Sequence, residues 1–168
     1  MSKLYKNLRL ALLVMTYLFI LSCSEDSGDV RQVISLNSAW KTVANDTSNS
    51  LFMGFESENY DATNWKTVDI PHNWDQYHGY LRKIHGNRHG YSWYRKNFSI
   101  DNAGNNKRYL LFFEGVGSYA TVWVNGKLAV KHAGGRTTFT LDITDLIHFD
   151  KKNILAVRAD HPAEIRDL

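Results

Sequence analysis

The chain predicts an all-β domain, an antiparallel β-sandwich, on three observations. Short apolar or alternating runs recur between turn signals from Trp40 to Ala159, as sandwich strands do. Aromatic residues make up 13% of the sequence while prolines number only two, a balance that favours pleated, half-buried strands over broken coil. The third is the stretch Arg108 to Lys127, RYLLFFEGVGSYATVWVNGK, in which two apolar runs flank a glycine-containing connection. It closes on Asn125-Gly126, the pair that supplies the positive φ angles of a two-residue hairpin.

At the amino terminus, Lys3, Lys6 and Arg9 precede an apolar run from Leu10 to Leu21. That is the length of a signal-peptide core and short of an ordinary membrane-spanning helix. Ile20-Leu21-Ser22-Cys23 resembles a bacterial lipobox, so lipidation is expected at Cys23. Cys23 is the only cysteine, which excludes an intramolecular disulfide. The expected organisation is a leader over 1–23, a flexible polar tether over 24–32 and one sandwich domain over 33–168. Such a protein would sit in the envelope of a Gram-negative bacterium as a periplasmic, outer-membrane or surface lipoprotein, touching the membrane only through its anchor. The three leader cations account for the whole formal charge of +3, so the domain is near neutral and nothing points to nucleic acid.

Trp40 begins the domain proper; the alternation of Ile34 to Lys41 around it predicts an edge strand, and Asn45 to Ser50 a polar loop. Asp61 is placed to cap a helical turn, after which an extended segment runs to Pro71. From His72 to Tyr91 the apolar period disappears among His, Gly, Asn and aromatic residues, the pattern of a recognition loop. Alternation returns over Trp93 to Ile100, and Asp101 to Lys107 is a turn. Tyr109 to Phe113 is almost wholly apolar and reads as a strand buried on both faces or at the centre of a sandwich, whereas Ala120 to Val124 has two distinct faces. Lys127 to Val130 returns as its hairpin partner. Gly134-Gly135 breaks the chain before the β-rich Thr137 to Leu141. Asp142 to Ile147 fits one helical turn, and Asn153 to Ala159 forms the closing strand. Gly115 to Ala120 matches a G-x-G-x-x-A fingerprint, but TVWVNG follows where a pyrophosphate site needs a helix. The glycines therefore read as a bend.

A family resemblance rests on landmarks in order. They are Trp40; Trp65 with Val68 and Ile70-Pro71-His72-Asn73-Trp74; Trp93-Tyr94-Arg95-Lys96; and Leu111-Phe112-Phe113-Glu114-Gly115-Val116. Val122-Trp123-Val124-Asn125-Gly126-Lys127, Gly134-Gly135 with Thr138-Phe139, Asp142-Ile143-Thr144 and Asn153 to Arg158 complete them. Together they resemble the N-terminal sugar-binding domain of glycoside hydrolase family 2, which includes β-galactosidases, β-glucuronidases and β-mannosidases. The resemblance implies a jelly-roll sandwich of the galactose-binding-like type and a β-linked glycan as partner. Family members continue through an immunoglobulin-like domain into a TIM barrel that carries two catalytic glutamates. Retaining hydrolysis needs two carboxyl groups about 5 Å apart, and no pair in this sequence is a candidate. Glu114, between an apolar run and a glycine bend, is expected to pair or cap. The resemblance thus implies an accessory domain of a β-glycosidase with no turnover of its own. A free-standing carbohydrate-binding module and a structural sandwich are the alternatives.

Asp160 leads the candidate site residues, because in the resembling family an acidic or amide residue just after this last strand reaches toward the barrel mouth and binds a sugar hydroxyl. Trp93, Tyr91, Trp74 and Arg95 follow, since sugars need aromatic faces for C–H surface and charged groups for hydroxyls. Trp40 and Trp123 lie in alternating patterns and read as packing residues. His72, His78, His85 and His89 crowd one loop without the spacing of a zinc motif, so no metal or other cofactor is predicted. Ser118 lacks a nucleophile elbow.

Overall fold

The computed structural model describes residues 31–46, 51–74, 89–101 and 107–163. The expected leader with Cys23, the expected tether as far as residue 30, and His78 and His85 lie outside them. The chain divides into Met1–Ile34 and Ser35–Leu168, and the fold below is that of the second unit. Its described residues contain eight strands and no helix: β1 (Trp40–Asp46), β2 (Lys66–Val68), β3 (Gly90–Ser99), β4 (Leu110–Phe113), β5 (Tyr119–Val124), β6 (Lys127–Ala133), β7 (Phe139–Asp142) and β8 (Lys152–His161).

Six strands form one antiparallel sheet in the order β2-β1-β3-β8-β5-β6, and β4 pairs with β7 in a second. The chain leaves the large sheet after β3, crosses to β4, returns for β5 and β6, crosses again to β7, and comes back as β8 between β3 and β5. This interleaving is a jelly-roll sandwich. One core lies between the layers: Leu111 and Leu141 from the small sheet meet Val122, Val124, Leu155 and Val157 from the large one, with Trp40 and Tyr94 beside them. Burying each of these aliphatic side chains is worth about 1.5–3 kcal/mol relative to leaving it exposed.

The hairpin forms as its turn residues require. Asn125 and Gly126 have φ of 50° and 77°, and β5 continues directly into β6. Asn125 also reaches inward, its Nδ2 donating to Leu146 O (2.9 Å) and Asn153 Oδ1 (2.7 Å). Gly115 to Ser118 is a bend without a helix. Where the chain bends, Gly135 lies flush on Gly117; a Cβ at Gly135 would stand 2.5 Å from the Gly117 Cα.

Four expectations need correction. The first strand is Trp40–Asp46, not Ile34 to Lys41, and it runs between β2 and β3, not at an edge. The approach to it is folded back: Trp40 Nε1 donates to Leu36 O (2.6 Å), and Ala39, at φ 55°, donates its N–H to Asp69 Oδ1 (2.8 Å). Tyr109 to Phe113 is not buried on both faces, because the small sheet is covered on one side only, and Leu110 and Phe112 are 59% and 61% exposed. At Asp61 there is no helical turn; its Oδ1 accepts from the Thr63 N–H (2.8 Å), a side-chain-closed turn. Asp142 likewise ends β7 and accepts from Thr144 N–H (2.9 Å), and a single turn follows through Ile147 N–H to Ile143 O (3.2 Å). Finally, β8 runs on to His161, so Asp160 lies within the last strand and not beyond it.

Candidate functional site

The site stands on the outward face of the six-stranded sheet. In β3 the even positions Tyr94 and Phe98 point into the core, which sends Tyr91, Trp93 and Arg95 outward. In β8 the core takes Leu155, Val157 and Ala159, so Ala156, Arg158 and Asp160 share the outward face. The register sets Asp160 between Tyr91 on β3 and Tyr119 on β5, and Arg158 between Trp93 and Thr121. Four of the five proposed sugar-site residues therefore occupy one face of two neighbouring strands. Trp74, half-buried, belongs to the segment after β2 and joins no ladder.

Most of that face is covered. The segment from Phe52 to Trp65 lies over it, with the Phe55 ring tilted against Trp93 at 4.1 Å and set edge-to-face on Trp123 at 5.2 Å. Trp123 thus packs as its alternation predicts, though on the outer layer. Arg95 holds this cover in place: its guanidinium donates to the carbonyls of Phe55, Ser57 (3.0 Å) and Tyr60 (3.5 Å), and stands over the Tyr60 ring. Burial pulls the guanidinium below its usual pKa, against the opposing influence of Tyr60 and Glu56. With Trp93 3%, Arg95 6% and Tyr91 9% exposed, these three present no open ring face or fork to a sugar. They build the ground on which Asp160 stands, half-buried and with its Oδ1 closed off from solvent.

Arg158 and Tyr119 were not among the candidates. Arg158 lies over the rings of Tyr91 (5.0 Å) and Trp93 (5.6 Å), and Tyr119 flanks Asp160. Their signal was parity: each falls on the same side of its strand as a residue already singled out. The loop histidines separate. His72 Nδ1 lies 3.0 Å from Tyr94 Oη, and burial and Lys66 lower its pKa; His89 stacks on His161 at 5.1 Å. Among the described residues no three His, Cys, Asp or Glu gather as metal ligands. Glu114 is exposed on the bend after β4. An open groove of about 370 Å³ lined by Glu56, Ser57, Glu58, Asn59, Asn125 and Gly126 lacks the aromatic wall a sugar ring requires.

Residues 30–159 match the family described as glycosyl hydrolases family 2, sugar binding domain. The chain belongs to that family. Its similarity to relatives runs the length of the sandwich: it is 32% identical over 150 residues to a β-glucuronidase of Bacteroides fragilis and 33% identical over 132 residues to a β-galactosidase of Thermoanaerobacter pseudethanolicus. These alignments cover 89% and 77% of this chain but only 20% and 17% of the relatives. Among solved structures, the β-glucuronidase of Bacteroides uniformis superposes with a TM-score of 0.66 at 26% identity, over 82% of this chain and 16% of that one. A family 2 member from Bacteroides cellulosilyticus gives 0.63 at 32%, over 74% and 17%. The family match ends one residue before Asp160.

Proposed function

We propose that this domain is the accessory sandwich of a β-glycosidase that hydrolyses O-glycosyl bonds, and that Asp160 accepts a hydrogen bond from a sugar hydroxyl. The carrying observation is the family match over the whole sandwich, to relatives named as glycosidases and about five times its length. A carboxylate at a strand end, beside the rings of Tyr91 and Tyr119, suits a hydroxyl donor, and a charge-assisted bond of that kind is stronger than a neutral one. Trp74 is the second direct contact, through its exposed part. Tyr91, Trp93 and Arg95 serve by holding the strands beneath. Cleavage requires the paired carboxylates of a barrel, which in the resembling family follows an immunoglobulin-like domain. This chain alone is therefore inactive.

The reading is tested in three steps. The purified chain should show no turnover of nitrophenyl β-glucuronide or β-galactoside, and measurable hydrolysis would overturn its accessory role. The gene beyond the codon for Leu168 should continue into barrel motifs; a stop followed by an unrelated gene would favour a free-standing carbohydrate-binding module, which glycan-array binding would then support. We also propose an envelope location through lipid on Cys23, with the membrane touched by the anchor alone. Radiolabelled palmitate should enter the protein and be lost in Cys23→Ser; equal labelling of both would end that proposal.

A further inference from the structure

Three segments meet at Ser118, the residue that follows the glycine bend. Its N–H donates to Asp160 O (2.9 Å), and its own carbonyl accepts from the Gly134 N–H (3.0 Å). Its hydroxyl lies 3.0 Å from His161 Nδ1. His161 stacks on His89 with the ring planes 12° from parallel, and His89 Nδ1 donates to Pro162 O (3.1 Å). Asp160 is thus held by its carbonyl from the β5 side, while the next residue is held through its imidazole. The far side is closed by His89 just before β3, next to the Gly90–His161 rung.

Strand ends open more readily than strand centres, because their last residues have few packed neighbours. Asp160 lies one residue from the end of β8, where a carboxylate would ordinarily wander. Ser118 itself has little freedom to move. The contact of Gly135 with Gly117 fixes the bend backbone against backbone, and a Cβ at Gly115 would stand 2.9 Å from Gly135 O. The node is therefore rigid on one side and reaches the half-buried strand end on the other.

We propose that Ser118 and His161 are positioning residues that hold Asp160 in register for sugar contact. The binding half rests on the sugar role given to Asp160 above; the holding half does not. A site residue kept within about 0.5 Å of its productive place needs such supporting bonds.

The holding half is read without sugar. In the wild-type chain, the ¹⁵N shifts of His161 should show one fixed tautomer with Nδ1 engaged; an imidazole that averages between tautomers overturns the proposal. Ser118→Ala should release that pattern and Ser118→Thr, which keeps the hydroxyl, should restore it. His161→Phe keeps a ring against His89 but removes Nδ1. It should speed exchange of the Ser118 and Gly134 amides at least tenfold while those of Tyr94 and Val157 change less than twofold. Unchanged exchange at Ser118 and Gly134 overturns the holding half. The binding half uses methyl β-glucuronide and methyl β-galactoside as probes: Asp160→Asn should abolish binding of whichever probe the chain takes, and Ser118→Ala should weaken it about three- to tenfold. No binding by the wild-type chain, or equal binding by Asp160→Asn, removes the sugar role and overturns that half, whatever the exchange shows.

Discussion

The two sheets turn very different faces outward. On the six-stranded sheet the outward face is closed by Phe52 to Trp65, an aromatic layer tied down by a buried guanidinium. On the two-stranded sheet it is bare, with Leu110 and Phe112 exposed on β4 opposite Asp142 and Thr140 on β7. The core between the sheets is common to both, so the contrast isolates what an added cover contributes. It also explains where the candidate site lies. Among the described residues, the covered face fixes the rings of Tyr91 and Trp93 and the Arg158 guanidinium beside Asp160, which is half-buried.

The largest effect should come from removing the centre of the cover. Phe55 is 2% exposed and touches Trp93 and Trp123, so Phe55→Ala should cost about 3–5 kcal/mol in chemical denaturation. A loss below 1 kcal/mol would mean that the layer rests on the sheet without stabilising it. Arg95→Met comes next. It keeps much of the apolar stem but leaves the carbonyls of Phe55, Ser57 and Tyr60 without their donor, at a cost of about 1–3 kcal/mol. Acrylamide should then quench the tryptophans of the outer layer more strongly than in the wild type. Unchanged quenching would show that the cover stays closed without its clamp.

The difference between these faces was only partly legible in the sequence. Alternation in Trp93 to Ile100 and the Asn125-Gly126 turn located β3 and the β5–β6 hairpin, because a half-buried strand and a two-residue turn each impose a local pattern. The run Tyr109 to Phe113 misled for the same reason: five apolar residues carry no period, and only the tertiary structure shows that one side has no partner layer. The site divided in the same way. Strand parity puts Tyr91, Trp93, Arg95 and Asp160 on one face, yet whether that face is open depends on a distant segment, Phe52 to Trp65. Nothing within β3 announces that its arginine will be consumed by the carbonyls of that segment, since a backbone carbonyl has no sequence identity.

On the bare face, the electrostatic contribution should be lost only in acid. Asp142 is held to about 2, chiefly by the Thr144 hydroxyl (2.6 Å) and N–H (2.9 Å), then by Arg108, whose Nε donates at 2.7 Å. Because its folded pKa lies below the ordinary 3.8, the group stabilises the fold above that value and the contribution is lost as pH falls through about 2. Melting of wild type and Asp142→Asn should therefore differ by a constant amount at neutral pH and converge between pH 4 and 2, within the usual range for an aspartate held by partners. Parallel curves over that interval would show that the Asp142 bonds do not form in solution. The turn into Ile143 should loosen in the variant, since Thr144 Oγ1 also accepts from the Tyr109 N–H (2.9 Å).

The smallest effect is the sharpest test of the contrast. Phe112 is as apolar as Phe55, yet it is 61% exposed and its partner across the sheet is Thr140. Among the described residues its ring joins neither apolar cluster, so burial energy has little to lose. Phe112→Ser should change the stability of the chain by no more than about 0.5 kcal/mol, the range of an exposed substitution. Circular dichroism should show the same strand content, because β4 keeps its inward Leu111 and its full register with β7. A loss above 1 kcal/mol in the isolated chain would mean that this face is covered in solution, and the difference between the two sheets would vanish. A null result would leave the ratio between Phe55 and Phe112 as a direct measure of what the aromatic cover adds, since the two substitutions remove side chains of one kind from faces that differ in cover.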